Sequence, residues 1–237
     1  MSVLDIDIGN TRLKWRRRGS TAVEYCMHDG DPATALTQVL SHARGALRVA
    51  HVFGSEVEDA LRAAAEARGA RELRFARTQA EHDGLRLAYA EPQRMGVDRF
   101  LAMAALWRER RAGFIAVSAG TALTVDIVDD RGQHLGGFIA PGLHAMRTAV
   151  LDRTQFPHAF DAPAYDRPGT NTESCVAEAA LGATLGLIER TQGRYGCPGF
   201  LSGGDAVHLA QFMDAAKWHL REHLVLDGLA CLREAES

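Results

Sequence analysis

The chain has 237 residues, of which 46% are hydrophobic and 24% charged, and its formal net charge is −3. This balance is that of an ordinary globular protein and gives no reason to expect a nucleic-acid partner. Because no apolar run approaches the roughly 18 residues of a membrane span and the N-terminal residues do not form a signal-peptide pattern, we expect a cytoplasmic protein without a membrane partner.

The first half of the chain is predicted to begin with a strand hairpin and to continue with alternating helices and strands. Residues 2–8 alternate between apolar and acidic side chains, and residues 11–17 alternate again, a period of two that indicates strands. Gly9 and Asn10 between them suit a tight turn. The elements predicted next are a strand over residues 22–27, a helix over 32–43, a strand over 47–53, a helix over 56–68, a strand over 72–76 and a long helix over 98–111.

The second half of the chain is predicted to repeat that order. Its predicted elements are strands over residues 114–118, 121–128 and 135–140, helices over 143–153 and 171–194, a strand over 200–202, a helix over 205–214, a strand over 224–225 and a closing helix. Two runs of meandering strands, each followed by helices and strands, predict two similar α/β domains with a cleft between them. We place these domains at residues 1–112 and 113–237.

The turn after the first strand carries residues suited to phosphate binding. From Asp7 to Lys14 the sequence reads Asp-Ile-Gly-Asn-Thr-Arg-Leu-Lys. A carboxylate at a strand end can organise Mg²⁺ through water, a glycine lets backbone amides approach a phosphate, and a lysine adds positive charge. Lys14 is one of only two lysines in the chain, and neither follows a glycine, which excludes a Walker P-loop. A polar hairpin turn without a ligand is the alternative interpretation.

Two further glycine turns are predicted in the second half. Gly120 and Thr121 join two strands, the second of which carries Asp126, in an echo of the first hairpin; Gly203 and Gly204 lie between a strand and a helix. The former pair would bind the phosphates together with the first turn, and the latter pair would offer a flat backbone surface to an adenine ring. A plain hairpin and a helix cap supplied by Asp205 are the alternatives.

The sequence Gly-Val-Asp-Arg at residues 96–99 opens the long predicted helix. Asp98 is suited to orienting an attacking hydroxyl and accepting its proton, as the catalytic aspartate of kinases does. Arg99 would pair with a substrate carboxylate or with the transferred phosphoryl group. Because aspartate is also a favoured N-cap residue, a structural role for Asp98 is the alternative.

In this order, the motifs resemble those of the type III pantothenate kinases, also called Baf proteins, of the actin-like ATPase superfamily. Residues 7–14 look like the family's first phosphate motif, and residues 96–99 look like its substrate motif. Its second phosphate region resembles residues 120–121 together with 136–137 and 141–142, and its adenosine motif resembles residues 202–205. The resemblance covers nearly the whole chain. It implies two actin-like (ribonuclease H-like) domains and ATP-dependent phosphorylation of pantothenate, which begins coenzyme A biosynthesis, by a homodimer.

The resemblance also implies roles for the matching residues. Asp98 would accept the proton of the substrate hydroxyl, and Asp7 would hold Mg²⁺ through water. The residues implied to contact pantothenate are Tyr89, Gly96, Val97, Asp98, Arg99 and Thr172, the last near a dimer interface. The residues implied to bind ATP are Asp7, Ile8, Gly9, Asn10, Thr11, Arg12, Leu13, Lys14, Thr121, Gly203 and Gly204.

Ser118 departs from the family pattern. Many members have an aspartate there, which is associated with a monovalent cation such as K⁺ or NH₄⁺. A serine hydroxyl is neutral and a weaker ligand, so the sequence leaves the cation requirement open. It also leaves open two other functions: phosphorylation of a different small molecule by an actin-like kinase, and regulation by a nucleotide-binding protein without kinase activity. Intact Asp7, Asp98 and Arg99 argue against the regulator, which has no physical need of all three.

Overall fold

The first of two five-stranded sheets is built from the N-terminal part of the chain. The computed structural model describes residues 3–40, 45–70, 72–153 and 163–232. The elements of this part are β1 (Val3–Ile8), β2 (Arg12–Arg17), β3 (Glu24–Met27), α1 (Pro32–Val39), β4 (Ala46–His51), α2 (Glu56–Ala67) and β5 (Glu72–Phe75). The strands lie in the order β3-β2-β1-β4-β5, with β1 to β3 antiparallel and β4 and β5 parallel to β1.

The alternation in β1 determines which side of this sheet is apolar. Leu4, Ile6 and Ile8 are buried in a core that includes residues of α1 and α2. Because successive side chains of a strand point to opposite faces, Asp5 and Asp7 lie on the other face. One face of β1 therefore packs against apolar helices, and the other carries two carboxylates.

A long helix follows a short hairpin. The hairpin consists of β6 (Glu81–His82) and β7 (Leu85–Arg86), and after a 3₁₀ turn at Pro92–Arg94 the helix α3 runs from Val97 to Arg110. The strands β6 and β7 were not predicted, although Asp83 and Gly84 between them form one of the strongest hairpin signals. Both have positive φ angles, 51° and 84°.

The second sheet repeats the strand arrangement of the first. Its elements are β8 (Phe114–Ala119), β9 (Ala122–Val128), β10 (His134–Pro141), α4 (Leu143–Leu151), α5 (Thr172–Tyr195), β11 (Gly199–Ser202), α6 (Ala206–Ala210) and β12 (Trp218–Leu220). The strand order is β10-β9-β8-β11-β12, again with three antiparallel strands followed by two parallel ones. The prediction of two similar α/β halves is confirmed.

The chain divides into two compact units. One comprises Met1–Asp83, Tyr89–Arg108 and Leu224–Ser237, and the other comprises Gly84–Ala88 and Glu109–His223. This grouping differs from the predicted division at residue 112 chiefly because the last helix, α7 (Leu224–Cys231), packs with the first unit. Arg16 contacts Asp227 at 2.8 Å, and a Cβ on Gly228 would overlap the carbonyl of Leu101, so only glycine permits this approach.

Two predictions near the C-terminus were wrong. The strand predicted over residues 224–225 is the start of α7, whose buried residues include Leu224 and Gly228, one helical turn apart. Short apolar runs do not distinguish strands from helices by periodicity, and β12 lies earlier, at Trp218–Leu220. The helix predicted over residues 205–214 ends at Ala210. The predicted end of α1, residues 41–43, falls outside the described residues.

None of the helices that the structure describes combines the length and the apolar composition needed to cross a bilayer.

Candidate functional site

The first predicted phosphate turn is a closed hairpin with an exposed tip. Asp7 lies directly opposite Lys14 in the β1–β2 pair, and the Gly9 N–H donates to the Arg12 carbonyl at 3.0 Å. Asn10 and Thr11 form the exposed tip. The side chains of the predicted ligand residues Ile8 and Leu13 are wholly buried in the core, so these two could contact a nucleotide only through their backbone. The Arg12 guanidinium lies 5.6 Å from the centre of the Tyr25 ring.

Asp7 has an unusual carboxyl group. Burial raises its pKa from the ordinary value to about 7, because removing water disfavours the charged form. The opposing Lys14 lowers this pKa, and the negative charge of Asp98 raises it further. The structure thus brings the two predicted acids, 91 positions apart in the sequence, close enough for their charges to interact.

The beginning of α3 positions Asp98. The helix starts at Val97, so Asp98 lies in its first turn rather than at the N-cap, which contradicts the capping alternative. Its carboxylate turns back over Gly96, where a Cβ would crowd it. The Thr78 hydroxyl donates to the Met95 carbonyl at 2.9 Å and so holds the residue before this glycine.

Arg99 and Tyr89, both predicted to contact the substrate, touch each other. Arg99 is buried, and its Nη1 donates to the Tyr89 hydroxyl at 3.1 Å. Its guanidinium carbon lies 5.8 Å from the centre of the Tyr89 ring. The structure therefore gathers Asp7, Asp98, Arg99 and Tyr89 within the first unit.

In the second unit, the turn between β8 and β9 meets the beginning of α4. The Gly142 N–H donates to the Thr121 carbonyl at 3.1 Å, and a Cβ on Gly142 would overlap the Gly120 carbonyl. Gly142 is the N-cap of α4 and no side chain caps this helix. The backbone N–H groups in the first turn of α4, which have no partners within the helix, therefore lie beside the Gly120–Thr121 turn.

The paired glycines lie against the same strand end. Gly203 has a φ of 95°, and a Cβ there would overlap the Ala119 carbonyl, so the backbone approach requires glycine. The Asp205 N–H donates to this carbonyl at 3.1 Å. The Asp205 side chain makes no capping bond, although it stands at the N-cap of α6. The Gly120–Thr121 turn, the start of α4 at Gly142 and the Gly203–Gly204 turn thus converge at the end of β8.

Asp126 is not a counterpart of Asp7. Its carboxylate is buried and lies 3.1 Å from Nε2 of the buried His134. The Ala88 N–H donates to the other ring nitrogen of His134, so the pair ties residue 88 to β10. The two hairpins therefore resemble each other in their glycine turns and not in their acidic residues.

The two remaining predicted residues lie in different surroundings. Ser118 is half-buried in β8, opposite Thr124 of β9 and Ser202 of β11. Thr172 is exposed at the first position of α5. Within the described ranges, no group of three or more His, Cys, Asp or Glu side chains could hold a metal ion. The ligand contacts assigned to all these residues stay predictions.

Asp7→Asn should change how stability depends on pH. The Asp7 pKa is higher in the folded chain, so its contribution to the free energy of unfolding is full below its ordinary pKa and is lost as pH rises through about 7. Asparagine has no such charge. The variant should therefore gain up to about 2 kcal/mol relative to wild type between about pH 5.5 and about pH 8.5, since one pKa unit corresponds to about 1.4 kcal/mol.

Urea unfolding at both pH values measures this difference. Asp59→Asn on the exposed side of α2 corrects for the general effect of the substitution. An Asp7→Asn variant whose stability relative to wild type is the same at both pH values would contradict the assigned burial.

Comparison with known proteins identifies the chain's relatives. A family model described as type III pantothenate kinase matches residues 3–194. A type III pantothenate kinase from Marinobacter nauticus is 33% identical over 241 residues, which cover 98% of each chain. Another, from Cellvibrio japonicus, is 38% identical over 202 residues, which cover 80% of this chain and 78% of the relative.

Solved structures share the fold at lower identity. A Baf family transcriptional activator from Campylobacter jejuni has a TM-score of 0.65 at 19% identity, covering 95% of this chain and 94% of that one. The ethanolamine utilization protein EutJ from Carboxydothermus hydrogenoformans has a TM-score of 0.56 at 10% identity, covering 98% and 89%. MreB5 of Spiroplasma citri has a TM-score of 0.52 at 10% identity, covering 96% and 94%. These likenesses concern the fold alone and confirm that it is actin-like.

Proposed function

The chain belongs to the type III pantothenate kinase family, and from this membership we propose that it transfers the γ-phosphoryl group of ATP to the primary hydroxyl of pantothenate. The product, 4'-phosphopantothenate, enters coenzyme A biosynthesis. The observation that carries the proposal is the grouping of Asp7, Asp98, Arg99 and Tyr89 in one unit. A non-catalytic regulator or a kinase for another substrate is not favoured, because the relatives named type III pantothenate kinase match nearly the full length.

We assign the alcohol-activating role to Asp98. Its carboxylate would orient the hydroxyl of pantothenate and accept the proton as the phosphoryl group is transferred in line. Arg99, held by Tyr89, would bind the carboxylate of pantothenate, since a guanidinium matches the geometry of that group. Most of the rate gain would come from positioning and charge neutralisation.

Phosphate binding is assigned to the glycine turns. In the first unit, the backbone of the exposed residues 10 and 11 and the ammonium of Lys14 would bind phosphate oxygens. In the second unit, the Gly120–Thr121 turn lies beside the start of α4, and a helix N-terminus favours anions. Gly204, which has open space around its Cα, would provide the surface for adenine together with Gly203.

The residues present fit a divalent cation. Asp98 raises the pKa of the Asp7 carboxyl, and a cation between such groups would relieve their repulsion. Asp7 would hold Mg²⁺ through water, and the ion would neutralise charge on the phosphates of ATP. At position 118 the side chain offers a neutral hydroxyl, which is a weaker ligand for a monovalent cation than a carboxylate.

Asp98→Asn should lower turnover by about 10²- to 10⁴-fold, because the amide cannot accept the hydroxyl proton. ADP release that depends on pantothenate measures the effect, and equilibrium binding of ATP should change little. Asp59→Asn on α2 serves as a surface control and should retain wild-type turnover. Near-normal turnover of a folded Asp98→Asn variant would refute this role, and a wild-type protein that binds ATP but consumes none with pantothenate would favour a regulator.

Turnover should be the same in K⁺ and in Na⁺ at equal ionic strength, because Ser118 supplies no charged ligand. The same assay with Ser118→Asp should show a new preference for K⁺ or NH₄⁺. A wild-type enzyme that is inactive in Na⁺ would show that a monovalent cation binds without the aspartate.

We also propose that the protein is a homodimer that associates through α4 and α5. An apolar groove of about 550 Å³ lies between these helices, and its lining includes Met146, Val150, Val176 and Ala179. Val150 is 49% exposed, and Ala179 and Thr172 are exposed on the same groove. A large apolar surface of this kind is typical of an interface.

Ala179→Glu should convert the dimer into monomers, because it would bury a charge in the interface. Light scattering after size-exclusion chromatography measures the mass. Ala63→Glu, which changes an exposed alanine of α2, should leave the dimer intact. A wild-type mass of one chain at micromolar concentration would overturn this proposal.

A further inference from the structure

His28 lies directly behind the first glycine turn. It is 5% exposed and follows the last residue of β3. Its Nε2 lies 2.8 Å from the Gly9 carbonyl oxygen, and its own N–H donates to the Thr11 carbonyl at 3.3 Å. Its ring packs edge-on against Phe53, with 5.7 Å between the ring centres. His28 therefore contacts the turn on both sides of its tip, with its imidazole at Gly9 and its backbone N–H at Thr11.

Two hydrogen bonds assign the same tautomer to His28. The Gly30 N–H donates to Nδ1 at 3.3 Å, so Nδ1 acts as an acceptor and carries no proton. In the neutral ring the proton is then on Nε2, which faces a carbonyl oxygen that can only accept. His28 is thus a donor to Gly9 and an acceptor from Gly30, and both partners are backbone groups.

The bond to Gly9 controls the direction of the next amide. The peptide unit is planar and trans here, so the Gly9 carbonyl and the Asn10 N–H point in opposite directions. With the carbonyl held toward His28, the Asn10 N–H points away from it. That N–H donates to no partner in the part of the chain that the structure describes, whereas the Gly9 N–H is occupied by Arg12. An exposed turn amide of this kind is suited to an anion.

We propose that His28 is a positioning residue for ATP: it fixes the Gly9–Asn10 peptide so that the Asn10 N–H is presented to a phosphate oxygen. The proposal rests on the proposed function, because it requires that this turn binds the nucleotide. It assigns no proton transfer to His28. Its effect should therefore fall on the KM for ATP and not on the KM for pantothenate.

Two substitutions separate the two hydrogen bonds. The side-chain amide nitrogen of His28→Gln can reach the position of Nε2 and keep the donor to Gly9. The side-chain oxygen of His28→Asn can replace Nδ1 and keep only the acceptor for Gly30. We expect His28→Asn to raise the KM for ATP about tenfold, as loss of one hydrogen bond would, and His28→Gln to remain within about twofold of wild type. Equilibrium ATP binding should weaken in parallel.

Two controls separate positioning from stability and from the proposed function. Phe53→Leu removes the ring contact of His28 but neither hydrogen bond, so it should lower the unfolding midpoint without changing the KM for ATP. Lys14→Met tests whether the turn binds ATP at all. If Lys14→Met weakens ATP binding and His28→Asn does not, the inference is wrong and the proposed function stands.

The remaining outcomes are equally decisive. If wild type phosphorylates pantothenate but neither Lys14→Met nor His28→Asn affects ATP, both the inference and the assignment of the turn are wrong. If His28→Asn and His28→Gln raise the KM for ATP equally, or if Phe53→Leu raises it as much, His28 has only a structural role.

Discussion

The strand β1 imposes the constraint on which the first unit depends. Its apolar residues must face the core beneath α1 and α2, and the period of two then forces Asp5 and Asp7 onto the opposite face. Asp5 is paired there with the buried Arg48, whose Nη2 donates at 2.6 Å. Asp7 has Lys14 opposite and Asp98 nearby. Positive charge nearby stabilises the charged form of this carboxyl group, as Lys14 does and as the proposed metal–nucleotide complex would.

In the second unit, the proposed phosphate and adenine site depends on close backbone packing and not on charge. Gly142 and Gly203 lie where any side chain would overlap the carbonyl of Gly120 or Ala119. The two glycines therefore allow three chain turns to meet at the end of one strand. Such a cluster leaves little besides main-chain groups for contact with a ligand, which suits a phosphate or a flat ring. The two halves of the fold share a strand order but provide different chemistry.

Much of the fold could be predicted from the sequence, because the period of hydrophobic residues and the positions of glycines determine strands, helices and turns within a short stretch of chain. The predictions of the β1–β2 hairpin and of the long α3 were correct for that reason, and the family is confirmed. What failed depends on tertiary context. Nothing in the sequence near Leu224 distinguishes a strand from a helix that packs on a distant part of the chain. A lone histidine at position 28 gives no signal, since its role depends on backbone groups that only the folded turn brings to its ring.

The return of α7 to the first unit has a consequence for biosynthesis. Three residues from Leu224 onward contact earlier parts of the first unit. Asp227 forms an ion pair with Arg16, Gly228 packs closely against the Leu101 carbonyl, and the Leu232 carbonyl accepts a hydrogen bond from Arg48. On the ribosome these partners emerge only after the whole second unit, so the half of the protein that is translated first cannot finish folding until they have been made. The residues from Glu109 to His223 can complete their own sheet earlier. The order of synthesis and the order of folding are therefore partly reversed in this chain.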